Sequence, residues 1–180
     1  MEHIDISELK LIGQGQNGKV YLMGDDKVVK IFPKEKPFEL IQREYDAVRG
    51  AYRQGVPSAG VYGIISWDEG YGIIFDYLHG ETLTAYMERE PEKEDLYIEK
   101  YVETIKKLHG AKAEGDCYAD NKELLKKGME ESSLSKEEKR KILKLIDAIP
   151  DRDTLLHGDL RTNNVLIENG KGTVDFLQGH

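Results

Sequence analysis

Over the first 75 residues, hydrophobic and polar positions alternate in short runs separated by turn residues. Residues 9–12, 20–23, 28–32, 61–66 and 71–75 each read as a strand, with Gly24, Asp25 and Asp26 forming a tight turn between the second and third. One helical pattern interrupts them: it begins after Pro37 and places Phe38, Ile41, Tyr45 and Val48 at spacings of three and four. The predicted order is three strands, one helix, two strands. From Gly80 the period becomes helical over 82–89, 95–109, 122–131 and 136–148, with Ser135 as the N-cap of the last. After Pro150 β character returns. The pattern predicts an α+β chain whose first part is an antiparallel five-stranded sheet with one helix and whose second part is mainly helical.

Composition narrows the partners. The 180 residues carry a formal net charge of −8, which argues against a nucleic acid, because phosphate backbones are bound by surplus positive charge. The uninterrupted apolar stretches are only a few residues long, far short of the about 20 that a membrane span needs. Cys117 is the single cysteine, and the start Met1-Glu2-His3-Ile4-Asp5 lacks the basic and apolar regions of a signal peptide. The expectation is a cytoplasmic protein without disulfides and without a membrane or nucleic-acid partner, built as one compact unit or two small lobes. The acidic stretch 88–95 reads as solvated surface.

Gly13, Gly15 and Gly18 lie in Gly-Gln-Gly-Gln-Asn-Gly-Lys-Val and match the spacing GxGxxG. Such glycines let backbone amides approach phosphate oxygens with no Cβ in the way, and they also serve as plain flexible turns. A dinucleotide-binding reading needs the loop to open a helix, whereas residues 20–23 read as a strand followed by a turn. A Walker-type reading puts Val20 where a Ser or Thr hydroxyl must hold magnesium. A glycine loop that joins two antiparallel strands, with Val20 two residues past the last glycine, gives instead the GxGxxGxV pattern of protein-kinase-like folds.

Lys30 sits in Val28-Val29-Lys30-Ile31-Phe32, a run apolar enough for an inner strand, where an ammonium needs a partner or must snorkel from the strand end. Glu44 lies three residues after Ile41 and four before Val48, on the buried stripe of the predicted helix. A carboxylate on an apolar face requires a cation, and Lys30 is the candidate. A Lys–Glu pair of this strand-then-helix kind places a lysine on nucleotide phosphates in kinases.

Asn169-Gly170 between two β-type runs signals a two-residue hairpin. If Glu168 faces Lys171, then Ile167 faces Gly172, Leu166 faces Thr173, Val165 faces Val174 and Asn164 faces Asp175. An amide oxygen and a carboxylate thus come together, an oxygen set that suits Mg²⁺ with phosphates and water completing its shell. Asp159, five residues before Asn164, is then placed where a substrate hydroxyl meets a γ-phosphate. The alternative makes Asn164 a turn residue and Asp159 a cap.

With these residues in this order, the chain resembles the aminoglycoside phosphotransferase and choline kinase family, small-molecule relatives of protein kinases, over nearly all its length. The residues that carry the resemblance are His157-Gly158-Asp159-Leu160 with Asn164, then Asp175, behind the glycine loop, Lys30 and Glu44. It implies a two-lobed protein-kinase-like fold, with a nucleotide-binding lobe over 1–76 and a catalytic lobe carrying the hairpin over 77–180. It also implies an ATP-dependent phosphotransferase acting on an alcohol group, with Mg²⁺ as cofactor and GTP as the alternative nucleotide. In that scheme Asp159 is the catalytic base or hydroxyl-orienting group, and Asn164 and Asp175 hold Mg²⁺. Lys30, held by Glu44, contacts the α and β phosphates. Val20 and Val28 line the base, backbone groups of Asp76 and Leu78 bond adenine, and Arg161 offsets charge near the transferring phosphate.

A protein Ser/Thr kinase is the nearest competitor. The roughly fifty residues between Leu108-His109 and His157 exceed what protein kinases use there, and no activation segment follows Asp175. A nucleotide-binding pseudokinase scaffold would lack an essential polar residue, and none is missing. Phe176-Leu177 after Asp175, where protein kinases have Phe-Gly, and Thr162, where Pro is common, are the departures within the motifs. The family continues after the metal aspartate with helices that wall the acceptor site, whereas this sequence has only residues 176–180. The expectation is therefore a truncated catalytic lobe, poor phosphate transfer, and an apolar patch on the helices of 95–148 open to self-association or a partner. The acidic balance suits a small cationic acceptor such as an amino sugar or choline.

Overall fold

The computed structural model describes residues 1–15 and 17–177. Contacts group the chain into two units, one of Met1–Lys112 with Thr154–His180 and one of Ala113–Asp153.

The first unit is built on a sheet of β1 (Glu2–His3), β2 (Lys10–Gly15), β3 (Gly18–Met23), β4 (Lys27–Ile31), β5 (Val61–Trp67) and β6 (Gly70–Asp76), in the order β1-β5-β6-β4-β3-β2. All neighbours are antiparallel except β1, which runs parallel to β5. The five expected strands are present, and the sheet has six rather than five. The extra strand is β1: two exposed polar residues cannot display a period-2 pattern, so only pairing with β5 reveals it.

The helix α1 (Phe38–Arg53) buries Ile41, Val48 and Ala51. Val28 and Phe32 meet Ile41 and Val48 on this side, while Val29, Ile31, Ile65 and Ile74 face Ile4, Ile6 and Leu9 on the other. β4 is therefore apolar on both faces because both are covered, which is why it reads as a continuous run rather than an alternation. Period 2 puts Lys30 on the same face as Val28, toward α1.

Three further strands form a second sheet in the order β7-β8-β9: β7 (Glu81–Thr82), β8 (Val165–Glu168) and β9 (Lys171–Val174). The register pairs Glu168 with Lys171, Ile167 with Gly172, Leu166 with Thr173 and Val165 with Val174, as the turn chemistry predicts. Asn169 at φ 50° and Gly170 at φ 74° supply the two positive φ values of the twisted hairpin turn. Thr82 caps α2 (Leu83–Arg89) by accepting from the Ala85 N–H at 3.1 Å. On α3 (Glu94–Gly110), Tyr97 packs with Leu83, Val165 and Ile167, while Leu96, Ile98 and Val102 are exposed. Among the described residues no helix is long and apolar enough to cross a membrane.

The second unit holds α4 (Asn121–Glu131) and α5 (Lys136–Ala148). The Asp120 carboxylate caps α4, and Ser135 caps α5 through a reciprocal capping box with Glu138. Lys126 bonds Asp147 at 3.2 Å and ties the two helices together.

Candidate active site

A cavity of about 340 Å³ opens in the first unit between the glycine loop and the hairpin. Gly13, Gly15, Gly18, Val20, Val28, Lys30, Leu78 and Asp175 line it, joined by Ile12, Gln14, Asn17, Tyr77, Leu166 and Leu177. Its lining thus combines glycine backbone, aliphatic side chains, an ammonium and a carboxylate. Gln16 of the loop lies outside the described residues. A Cβ at Gly18, where φ is 150°, would stand 2.3 Å from the Ile31 carbonyl oxygen, so β4 itself demands this glycine. A Cβ at Gly15 would meet nothing within 4 Å. The fold does not require Gly15, and its missing side chain leaves open the loop's approach to a ligand.

The sequence-derived partner of Lys30 is confirmed in position. Its Nζ donates to Glu44 Oε1 at 2.8 Å, with Lys30 only 2% exposed. The sequence did not signal Lys36, whose Nζ donates to Glu44 Oε2 at 2.7 Å. Burial pushes the Glu44 carboxyl up, but the two ammoniums outweigh it and hold the group below the ordinary glutamate value. Glu44 is a shared anion rather than half of a pair.

In the loop before the hairpin, Asn164 is fully buried and donates from Nδ2 to the Asp159 carbonyl at 2.7 Å and to Asp159 Oδ2 at 3.3 Å. Arg161 approaches the same Oδ2 with Nε at 3.1 Å and Nη2 at 2.9 Å. The Asp175 N–H donates to the Asn164 carbonyl at 2.9 Å, which continues the hairpin register one pair further. Asp159, Arg161, Asn164 and Asp175 therefore form one cluster, in which the Asn164–Asp175 pairing is the one the hairpin register predicts. Asp76 stands apart from it. Its carboxylate accepts from the Tyr62 hydroxyl at 2.5 Å and the Gly60 N–H at 2.8 Å, and its own N–H goes to the Gly60 carbonyl.

His157 fixes the loop to the hairpin. Its Nδ1 accepts from the Asp159 N–H at 3.4 Å, so the proton sits on Nε2 and is donated to the Asp175 carbonyl at 3.1 Å. Burial lowers this imidazole below the ordinary histidine value despite the Asp175 bond and the nearby Asp159 and Asp175 carboxylates, so it is neutral at pH 7. The Tyr101 hydroxyl of α3 adds a bond to the Leu160 carbonyl at 2.7 Å. Leu166 also escaped prediction, although its place between the buried Val165 and Ile167 marks the other face of β8.

The donor set can be tested against a divalent cation. Asn164 Oδ1 is buried and has no hydrogen-bond partner, and an orphaned amide oxygen costs about 1–3 kcal/mol unless a ligand meets it. The adjacent Asp175 is 6% exposed and binds the Leu177 N–H through Oδ1 at 2.8 Å. An amide oxygen beside a carboxylate fits a hard cation. Among the described residues no group of three or more His, Cys, Asp and Glu could form an all-protein cage, so phosphate and water would have to complete the shell.

A family model described as the phosphotransferase enzyme family matches residues 8–177, which is most of the chain. The chain belongs to this family. No curated protein matches it in sequence. Solved structures similar to this phosphotransferase-family chain include the gentamicin complex of APH(2″)-IIa, with a TM-score of 0.59 and 22% identity over 95% of this chain and 65% of that one. The streptomycin–ATP ternary complex of APH(2″)-IIa gives 0.58 and 23% over 97% and 66%. The ADP-bound aminoglycoside phosphotransferase APH(2″)-Ib gives 0.60 and 22% over 97% and 67%. At these identities the likeness establishes the fold, the α+β protein-kinase-like architecture. The chain spans about two thirds of the length of these structures.

Proposed function

We propose that this family member binds a nucleoside triphosphate with Mg²⁺ and moves the γ-phosphoryl to a hydroxyl of a small molecule. The observation that carries the reading is one cavity faced by the glycine loop, the buried Lys30 and Asp175, with the unpartnered Asn164 oxygen joined to Asp175 through the hairpin register. Residues 1–76 would act as the nucleotide lobe and 77–180 as the catalytic lobe.

Val20, Val28, Leu78 and Leu166 offer an apolar slot for the base, with the backbone of Leu78 as its hydrogen-bonding edge; Asp76, expected to share that edge, does not line the cavity, and its N–H is already bonded to the Gly60 carbonyl. Amides around Gly13, Gly15 and Gly18 and the Lys30 ammonium would hold phosphate oxygens. Asn164 Oδ1 and the Asp175 carboxylate would hold Mg²⁺, which when bound offsets the negative charge of the phosphates. Asp159 orients the acceptor hydroxyl and takes its proton as the oxygen attacks phosphorus in line and the diphosphate leaves. Arg161, already beside Asp159, supplies positive charge next to the transferring group. Little covalent chemistry is asked of the protein, and positioning accounts for most of the rate.

ATP as donor is supported by the ATP- and ADP-bound relatives, with GTP as the alternative. A cationic amino sugar as acceptor is supported by the gentamicin and streptomycin complexes and by the net charge of −8. A cytoplasmic location, where ATP is abundant, belongs to the same proposal. The test is a phosphate-transfer screen over aminoglycosides, choline, sugars and amino alcohols, with mass spectrometry of the products. A product heavier by one phosphoryl group, lost in Asp159→Asn, is expected. No transfer from ATP or GTP to any acceptor would overturn the catalytic reading.

A further inference from the structure

Lys36 lies in the connection between β4 and α1, in Pro33-Lys34-Glu35-Lys36-Pro37, which from sequence alone is a solvated turn. The structure closes that turn with a bond from the Lys36 N–H to the Pro33 carbonyl at 2.9 Å, and Pro37 restricts the backbone of Lys36 further. The side chain folds inward: Lys36 is 21% exposed, and its ammonium stands 4.1 Å from the centroid of the Phe32 ring. From there it takes Glu44 Oε2 while Lys30 takes Oε1.

Two consequences follow for Lys30. With only one oxygen engaged, the Glu44 carboxylate could rotate, whereas two ammoniums on opposite oxygens fix the plane that aims Lys30 Nζ. An isolated Lys–Glu pair is also neutral, whereas two ammoniums around one carboxylate leave the buried group with one net positive charge. A cation that is wholly neutralised by its own partner attracts phosphate weakly, and Lys36 prevents that.

We propose that Lys36 is a positioning residue for nucleotide phosphates: by occupying the second oxygen of Glu44 it orients Lys30 and keeps the group beside the cavity cationic. This rests on the nucleotide reading of the cavity. Lys36 does not line the cavity, whereas Lys30 does, so its effect on a ligand passes through Glu44 and Lys30.

Calorimetric titration of the 180-residue chain with ATP plus magnesium, and separately with adenosine, distinguishes the possibilities. In K36M, ATP binding should weaken about tenfold, equivalent to about 1.4 kcal/mol and near the lower end for a hydrogen bond to a charged group. Adenosine binding should stay within about twofold of the unaltered chain. K36R should restore ATP binding, and K36Q should behave like K36M, with melting curves verifying that each variant is folded. Equal losses for ATP and adenosine, or unchanged ATP binding in K36M and K36Q, would overturn the role of Lys36 and leave the nucleotide site standing. Failure of the unaltered chain to bind either ATP or GTP would overturn the nucleotide reading itself, and the role of Lys36 with it.

Discussion

The shared carboxylate makes the stability of the sheet–helix core asymmetric toward its two charges. Glu44→Gln replaces two acceptor oxygens with one acceptor and an NH₂ group, so one ammonium loses its bond and faces a donor. Lys36, at 21% exposure, can turn to water; Lys30, at 2%, cannot. Removing one partner of a buried ion pair costs about 3–5 kcal/mol, and the lower figure applies because the Gln carbonyl can still accept from Lys30 at the expense of Lys36. Lys30→Met removes the most buried charge, keeps side-chain length, and leaves Glu44 bonded to Lys36, so its cost should be about 1 kcal/mol or less. At this chain length about 2–4 °C in Tm accompanies each kcal/mol, which predicts a drop of about 6–12 °C for Glu44→Gln against about 4 °C or less for Lys30→Met. Thermal unfolding of both variants followed by circular dichroism is the assay. Acid titration adds a signed check. The folded-state value of Glu44 is depressed, so its contribution is present above the ordinary glutamate range and is lost as pH falls through the folded value. Glu44→Gln should therefore flatten the acid limb of the stability curve. Equal losses in the two variants, or a greater loss in Lys30→Met, would refute the shared-anion account.

Other consequences are as direct. ATP should raise the melting temperature more with magnesium than with a chelator, and Asp175→Ala should abolish that difference; equal shifts in the unaltered chain would remove Asn164 and Asp175 as metal ligands. Asp159→Asn should leave folding and ATP affinity nearly intact while phosphate transfer falls by roughly 10²- to 10⁴-fold, whereas loss of folding would make Asp159 a structural cap. Because burial depresses His157, the unfolded chain takes up its proton first, so stability should fall as pH drops below about 6.5. His157→Gln should lose that slope, and an unchanged pH profile in the variant would contradict the neutral clamp between the Asp159 N–H and the Asp175 carbonyl.

Features legible from the sequence were those set by local periodicity or by a turn. The apolar repeat after Pro37 located α1 and the face carrying Glu44, and a lysine within the continuous apolar run of β4 made Lys30 the candidate partner, while the fold decided that the two meet on one side of the sheet. Asn169-Gly170 fixed the hairpin register, because a two-residue turn permits only one set of facing pairs, and that register joined Asn164 to Asp175. Ser135 announced the start of α5 because an N-cap is local, and Glu138 completes the capping box in the fold. Other features depended on how distant segments meet. The two polar residues of β1 become a strand only beside β5. Lys36 looks like surface charge until the turn at Pro33 folds it onto Phe32 and Glu44. Leu166 and Leu177 enter the cavity wall only once the hairpin is set against the glycine loop. The unpartnered oxygen of Asn164 is also a tertiary fact: a side chain's hydrogen-bonding need is written in its chemistry, but whether the need is met depends on which neighbours the whole fold brings within reach and how much water it excludes.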